Sequence, residues 1–333
     1  MESRFFSEYI QVLGKGRRGM RNLSQEEARD AMAQILSGSV EPVQLGAFLM
    51  LMRVKEESAA EVAGLVQAAR ASLPQPPAVA VDLDWSSYAG KRRQLPWHVL
   101  AALLLASHGH RVFMHGIGGG TAGRVYVPQA LSALGLSPAA SLSEAATHLK
   151  QRNFAFMTLD AVSPMLQGLL DLKSVLGLRS PVHTVVRMLN PLRARAALMG
   201  IFHPGYDDTH QEAALLLGDA DLAVFKGEGG EPERNPDSPC NVKRVRDGQP
   251  LHQEWPAQFA QRHLKDEVMD CLRLPRLWRG EIEDEYGTAA VVGTAAIALS
   301  LLERETPEVA CARAADLWQR RPRHFLDGLE AVR

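Results

Sequence analysis

The stretch Gln44-Leu45-Gly46-Ala47-Phe48-Leu49-Met50-Leu51-Met52-Arg53-Val54-Lys55-Glu56-Glu57-Ser58-Ala59-Ala60-Glu61-Val62-Ala63-Gly64 decides the fold. Leu45, Phe48, Leu49 and Met52 fall at helical spacing and lay an apolar stripe along a helix that Pro42 opens. Ser58 then caps another helix, which carries Val62, Leu65 and Val66. Upstream, Ser24 with Glu27 forms a capping-box pattern ahead of Ala28, Met32, Ile35 and Leu36, and Gly38 ends that helix. Downstream, Leu73-Pro74-Gln75-Pro76-Pro77 breaks the helical rhythm. Residues 1–72 therefore read as an all-helical unit.

Beyond that boundary the period changes. Residues 79–83 read as a short strand, 85–94 as a glycine-containing loop and 96–108 as an apolar helix. Residues 111–114 read as a second buried strand ending at His115-Gly116. A helix near 127–134, strands at 154–159 and 197–201, a helix at 209–217 and a strand at 221–225 continue the alternation. Helical segments at 165–176 and 182–189 interrupt it, and the tail after Glu281 is helical, with alanine-rich stretches at 289–302 and 309–318. Strands alternating with helices predict a mostly parallel sheet, so the expected class is α/β with a small all-helical domain beside it.

The 333 residues suit two domains, and the 46% hydrophobic and 23% charged fractions are those of a globular chain. Three scattered cysteines, Cys240, Cys271 and Cys311, form neither a disulfide framework nor a zinc cluster. The first twenty residues lack an apolar signal-peptide core, and the run from Val99 to Ala106 is short for a membrane span. A cytoplasmic protein without a membrane partner is expected. The net charge of -1 decides little, because basic and acidic residues are each clustered and local fields govern a groove.

The stretch 44–64, His115-Gly116, Leu131-Ser132-Ala133-Leu134-Gly135, Leu176-Gly177-Leu178-Arg179, Leu189-Asn190-Pro191-Leu192 and the alanine-rich C-terminal helix together resemble anthranilate phosphoribosyltransferases. The resemblance covers nearly the whole chain. It implies a helical domain of residues 1–72 completed by inserted helices near 160–192. It also implies an α/β domain of residues 78–158 and 193–333 with a mostly parallel central sheet, the nucleoside phosphorylase and phosphoribosyltransferase architecture. A homodimer would form through the helical part.

The departures bear on function. Those enzymes cradle a pyrophosphate in a Gly-Thr-Gly-Gly-Asp loop after the first strand, with backbone N–H groups aimed at the anion. Here the loop reads Ser87-Tyr88-Ala89-Gly90-Lys91-Arg92-Arg93. Of the Lys-His-Gly-Asn-Arg that follows the second strand, only His115-Gly116 remains. The turn Lys226-Gly227-Glu228-Gly229-Gly230-Glu231-Pro232-Glu233 has proline where the resemblance places a magnesium-binding aspartate. Lys173 stands for the anthranilate-contacting arginine, His183 for an asparagine and Arg187 for a proline. No catalytic residue, cofactor or metal site is expected. The chain is still more similar to the YbiB-type paralogues, which keep the fold and bind nucleic acid without clear sequence preference. The matching features are Gly14-Lys15-Gly16, Tyr88-Ala89-Gly90-Lys91-Arg92 and His203-Pro204-Gly205-Tyr206.

Candidate contacts to a DNA or RNA phosphate backbone are Lys15, Arg17, Arg18 and Arg21 in a glycine-spaced turn, Lys91, Arg92 and Arg93 at the mouth of the sheet, Arg124 behind a glycine-dense loop, and Arg187 facing the cleft. Tyr88 is placed to stack on a base. The alternative is an active phosphoribosyltransferase or pyrophosphorylase on another acceptor. Isolated basic runs are also common on solvated turns, so the test is whether these cations gather and lack carboxylate partners.

Overall fold

The computed structural model describes residues 5–16 and 18–327. Helices α1 (Phe6–Gly14), α2 (Gln25–Leu36), α3 (Pro42–Lys55) and α4 (Ala59–Ser72) open the chain. Ser24 and Ser58 start α2 and α4 through reciprocal capping boxes with Glu27 and Glu61. These satisfy amides that a helix start otherwise leaves unpaired.

The α/β part then runs β1 (Leu83–Ser87), α5 (His98–Ser107), β2 (Val112–Gly116), α6 (Val127–Ala133), α7 (Leu142–Arg152) and β3 (Phe154–Thr158). The short helices α8 (Leu159–Val162), α9 (Pro164–Asp171), α10 (Lys173–Leu176) and α11 (Val182–Val185) follow, the last running into a tight helical turn at Val186–Met188. The chain re-enters the sheet as β4 (Ala196–Ile201), α12 (Tyr206–Leu217) and β5 (Asp221–Lys226), adds the hairpin β6 (Cys240–Arg246) and β7 (Gln249–Trp255), and closes with α13 (Arg273–Arg279), α14 (Glu285–Glu303) and α15 (Pro307–Gln319).

The strand order is β3-β2-β1-β4-β5-β6-β7, parallel from β3 through β5 and antiparallel at β6 and β7. Strand order reverses between β1 and β4, so the crevice beyond Ser87 and Ile201 is the topological switch point where open α/β sheets bind ligands. One face of the sheet packs Trp85, Trp97, Trp255 and Trp278 with α5 and α14. On the other face, Ala197, Met199, Leu222 and Val224 join the core of the N-terminal helices through α12 and α4. Helix α14 is long and apolar enough to cross a membrane, but most of it is buried against α5, α15 and the sheet, which accounts for its composition.

Three expectations need correction. The first strand starts at Leu83 rather than 79 and extends into the expected loop. Asp84 disguised its continuation, but it pairs with His115 on β2, and Asp82 just ahead of the strand accepts from the Arg111 amide. The β6–β7 hairpin and helices α7 and α13 were not expected at all.

Candidate anion-binding cleft

The β1 loop closes on two carboxylates. Glu231, 1% exposed, accepts from the Ser87 hydroxyl at 2.7 Å, the Ala89 amide at 2.7 Å and the Gly90 amide. Glu233, fully buried, accepts from Lys91 Nζ at 2.5 Å and from the His98 amide at 2.9 Å, and its other contact is His98 Nδ1 at 3.1 Å. Burial by itself would raise the Glu233 carboxyl, but Lys91 and His98 outweigh it and hold the group below its usual range. Glu233 thus takes the place at the start of α5 where an external anion was expected.

Magnesium does not fit these residues. Pro232 offers no carboxylate, and both neighbouring glutamates are engaged by N–H and O–H donors. No cluster of three or more His, Cys, Asp or Glu side chains that could hold a metal occurs among the described residues.

Several predicted contacts are overturned. Lys91 is 1% exposed and neutralised by Glu233, so it cannot meet a polymer. Tyr88 is buried; its hydroxyl lies 2.7 Å from His115 Nδ1, and Arg187 sits 6.0 Å from its ring centroid, which leaves no face for a base. Arg21 is exposed but held in a two-pronged pair with Glu27 at 2.6 and 2.9 Å. Lys15 and Arg18 are exposed in a turn closed by the Gly19 and Met20 amides on the Gly16 carbonyl, and Arg17 lies outside the described residues. Arg92 and Arg93 are exposed at the loop's rim. Arg124 is half-buried and donates to the carbonyls of Ala89 and Gly90. Arg195 pairs with Asp82 at 3.0 Å.

The cations that do gather line a cavity of about 90 Å³ beside the switch point, with Arg53, Arg179, Arg187, His183 and Tyr206 in its wall. Arg53 comes from the end of α3 and donates to the Tyr206 hydroxyl; Arg187 comes from the turn after α11 and donates to the carbonyls of Gly200 and His183. Among the described residues none of Arg53, Arg124, Arg179 and Arg187 makes an ion pair. Burial lowers Arg187 to about 10 against the opposing pull of Glu231, and Arg179 adds to the lowering; Arg179 is itself lowered by desolvation and then by Arg124 and Arg53. Burial and the same arginines push His183 down to about 3, so it is neutral at physiological pH. Glu57 is the carboxylate in the wall; burial raises its pKa, and it accepts from Thr184. Glu231 and Glu57 offset part of this charge without forming an ion pair with any of the four arginines among the described residues, and four arginines against two carboxylates leave a positive cluster suited to an anion. Arg53 and Arg179 escaped the sequence reading because one lies in the last turn of an ordinary helix, where a basic residue is common, and the other stands in a glycine turn with no basic neighbour to mark it.

The helical bundle domain of a glycosyl transferase family matches residues 7–73. An anthranilate phosphoribosyltransferase of Oleidesulfovibrio alaskensis is 30% identical over 328 residues, covering 92% of this chain and 95% of that protein. The uncharacterized protein YbiB of Escherichia coli K12 is 28% identical over 236 residues, covering 69% of this chain and 73% of YbiB. The anthranilate phosphoribosyltransferase structure from Thermus thermophilus superposes with a TM-score of 0.80 over 99% of both chains at 21% identity.

Proposed function

From the premise that this chain belongs to the anthranilate phosphoribosyltransferase family, we propose that it is a member that binds nucleic acid through phosphates without sequence preference. The observation that carries the reading is the set of arginines at the switch point, Arg53, Arg179 and Arg187 in the cavity wall with Arg124 near Arg179, none of them in an ion pair among the described residues, while the β1 loop faces Glu231. Arg92, Arg93, Lys15 and Arg18, exposed and outside ion pairs among the described residues, extend the positive surface. DNA or RNA would be held by charge and reach, since backbone contacts position a polymer without reading its bases.

The same proposal includes a homodimer. Val43 and Val54 on α3 and Val175 on the neighbouring α10 are each about four-fifths exposed, an apolar surface of the kind subunit contacts cover. Light scattering on the purified protein reads the oligomeric state directly. Pairing would double the number of phosphates met, and a duplex-binding dimer would act at the nucleoid.

The test is an anisotropy titration of single-stranded and duplex oligonucleotides at several salt concentrations. On duplex the affinity should fall linearly in log–log form with a slope of about -0.9 per phosphate neutralised. Salt-independent binding, or none, overturns the reading. The near full-length match to a phosphoribosyltransferase favours one competitor, a transferase with an altered acceptor. Magnesium-dependent binding of phosphoribosyl pyrophosphate in a calorimeter would establish that competitor instead.

A further inference from the structure

We propose that Ser87, Ala89 and Gly90 form an anion site whose resident occupant is the chain's own Glu231 carboxylate, which keeps free phosphate out. The inference does not depend on the nucleic-acid reading, although Glu231 also acts on Arg179 and Arg187.

Two neighbouring backbone amides and one hydroxyl converge on a single carboxylate, with contacts of 2.7 Å from Ser87 and from Ala89 and a third from Gly90. Consecutive N–H groups aimed at one point make an anion nest, and carboxylate and phosphate oxygens accept from such a nest in the same way. Ser87 is 4% exposed and Ala89 4% exposed, so these donors have no water to turn to when the carboxylate is removed.

The occupant is built in. A Cβ on Gly227 would stand 1.6 Å from the Glu231 carbonyl oxygen, and one on Gly200 would stand 2.3 Å from the Glu231 carbonyl carbon. The missing side chains at the ends of β4 and β5 are what allow the 227–233 turn to press down on the β1 loop. Two positions on, Glu233 is fixed by Lys91 and His98, and its carbonyl accepts from the Glu228 amide at 2.8 Å. A tethered, prepositioned group competes at an effective concentration on the order of millimolar or above, which free cellular anions must exceed to displace it.

Calorimetric titration of inorganic phosphate into the wild type, Glu231→Ala and the double variant Glu231→Ala with Ser87→Ala tests this. Glu231→Ala should gain one phosphate per chain, bound about tenfold more tightly than any phosphate on the wild type. Adding Ser87→Ala should remove most of that gain, because the hydroxyl is one of three donors. Equal phosphate binding by folded Glu231→Ala and wild type, or a gain indifferent to Ser87, overturns the proposal. If the alanine variant does not fold, Glu231→Ser also vacates the cradle while leaving a small polar side chain in the turn. Phosphate should then raise its Tm while leaving that of the wild type fixed, and an unresponsive Tm overturns the proposal equally. Oligonucleotide affinity is read on the wild type, where Glu231 and the arginines are all in place, and phosphate uptake on the variants, so a failure there and a failure here remain distinguishable.

Discussion

The Nζ of Lys91 lies 2.5 Å from Oε1 of Glu233, and neither side chain reaches solvent. Removing one partner of such a pair strands the other charge in a medium that cannot solvate it, at a cost of about 3–5 kcal/mol. Lys91→Ala is therefore expected to lower the urea midpoint steeply while leaving the oligonucleotide affinity of the folded fraction unchanged. Equal stability with weakened binding would return Lys91 to the interface.

Arg92 and Arg93 give the opposite signature. Both are exposed and outside ion pairs among the described residues, so Arg92→Ala with Arg93→Ala should change stability by no more than about 0.5 kcal/mol. Affinity should fall for all sequences about equally, and the salt slope should shrink by about 0.9 for each duplex phosphate that the variant no longer neutralises. Anisotropy titrations on two unrelated sequences check both points.

Arg179→Ala tests the cleft. Its charge is unpaired among the described residues and is repelled by Arg124 and Arg53, so its removal relieves repulsion within the free protein. The variant should be as stable as the wild type or slightly more so, and it should bind nucleic acid more weakly at low salt. Thermal melts beside binding curves separate the two effects.

A histidine gives the pH dependence. His263 Nδ1 lies 2.7 Å from Asp237, and its Nε2 is 3.7 Å from Glu285. The Asp237 hydrogen bond chiefly raises its pKa above the ordinary 6.5. Because the folded value is the higher one, this contribution to stability is complete below pH 6.5 and disappears as pH rises through the folded value. Tm should decline across that window in the wild type and change less in His263→Gln, as read by melts at closely spaced pH.

What the sequence disclosed follows from the physics of each signal. Helix caps at Ser24 and Ser58 are local, and both formed as read, the one at Ser58 as a full box with Glu61 where only the cap was expected. Buried parallel strands such as 112–116 announce themselves as apolar runs. Hairpin strand β7 is mostly exposed and carries His252, Gln253 and Glu254, so no apolar run marks it. The site was legible only as a set of cations. Whether a lysine faces a ligand or a glutamate depends on pairings such as 91 with 233, across 142 positions of chain, which no local pattern encodes. Arg187 was placed correctly beside the cleft; Lys91 and Tyr88, in the most suggestive stretch, turned inward.

Gly200 ties the fold to the filled cradle. A Cβ there would come within 2.3 Å of the Glu231 carbonyl carbon and 2.4 Å of the Pro232 nitrogen, both backbone atoms that cannot rotate away. Either β4 or the 227–233 turn must move, and the Gly227 amide bonded to the Ile201 carbonyl at 3.1 Å couples the two. Overpacking of this kind costs about 1–3 kcal/mol, and more where backbone meets backbone. Gly119 is the control, since a Cβ there meets nothing within 4 Å. Gly200→Ala should lower the urea midpoint well beyond Gly119→Ala. By lifting Glu231 off the amides of Ala89 and Gly90 it should also shift those two resonances in an amide NMR spectrum, while Gly119→Ala leaves them in place. A Gly200→Ala protein as stable as the wild type, with both resonances unmoved, would mean that the turn is not pressed against the sheet as these contacts require.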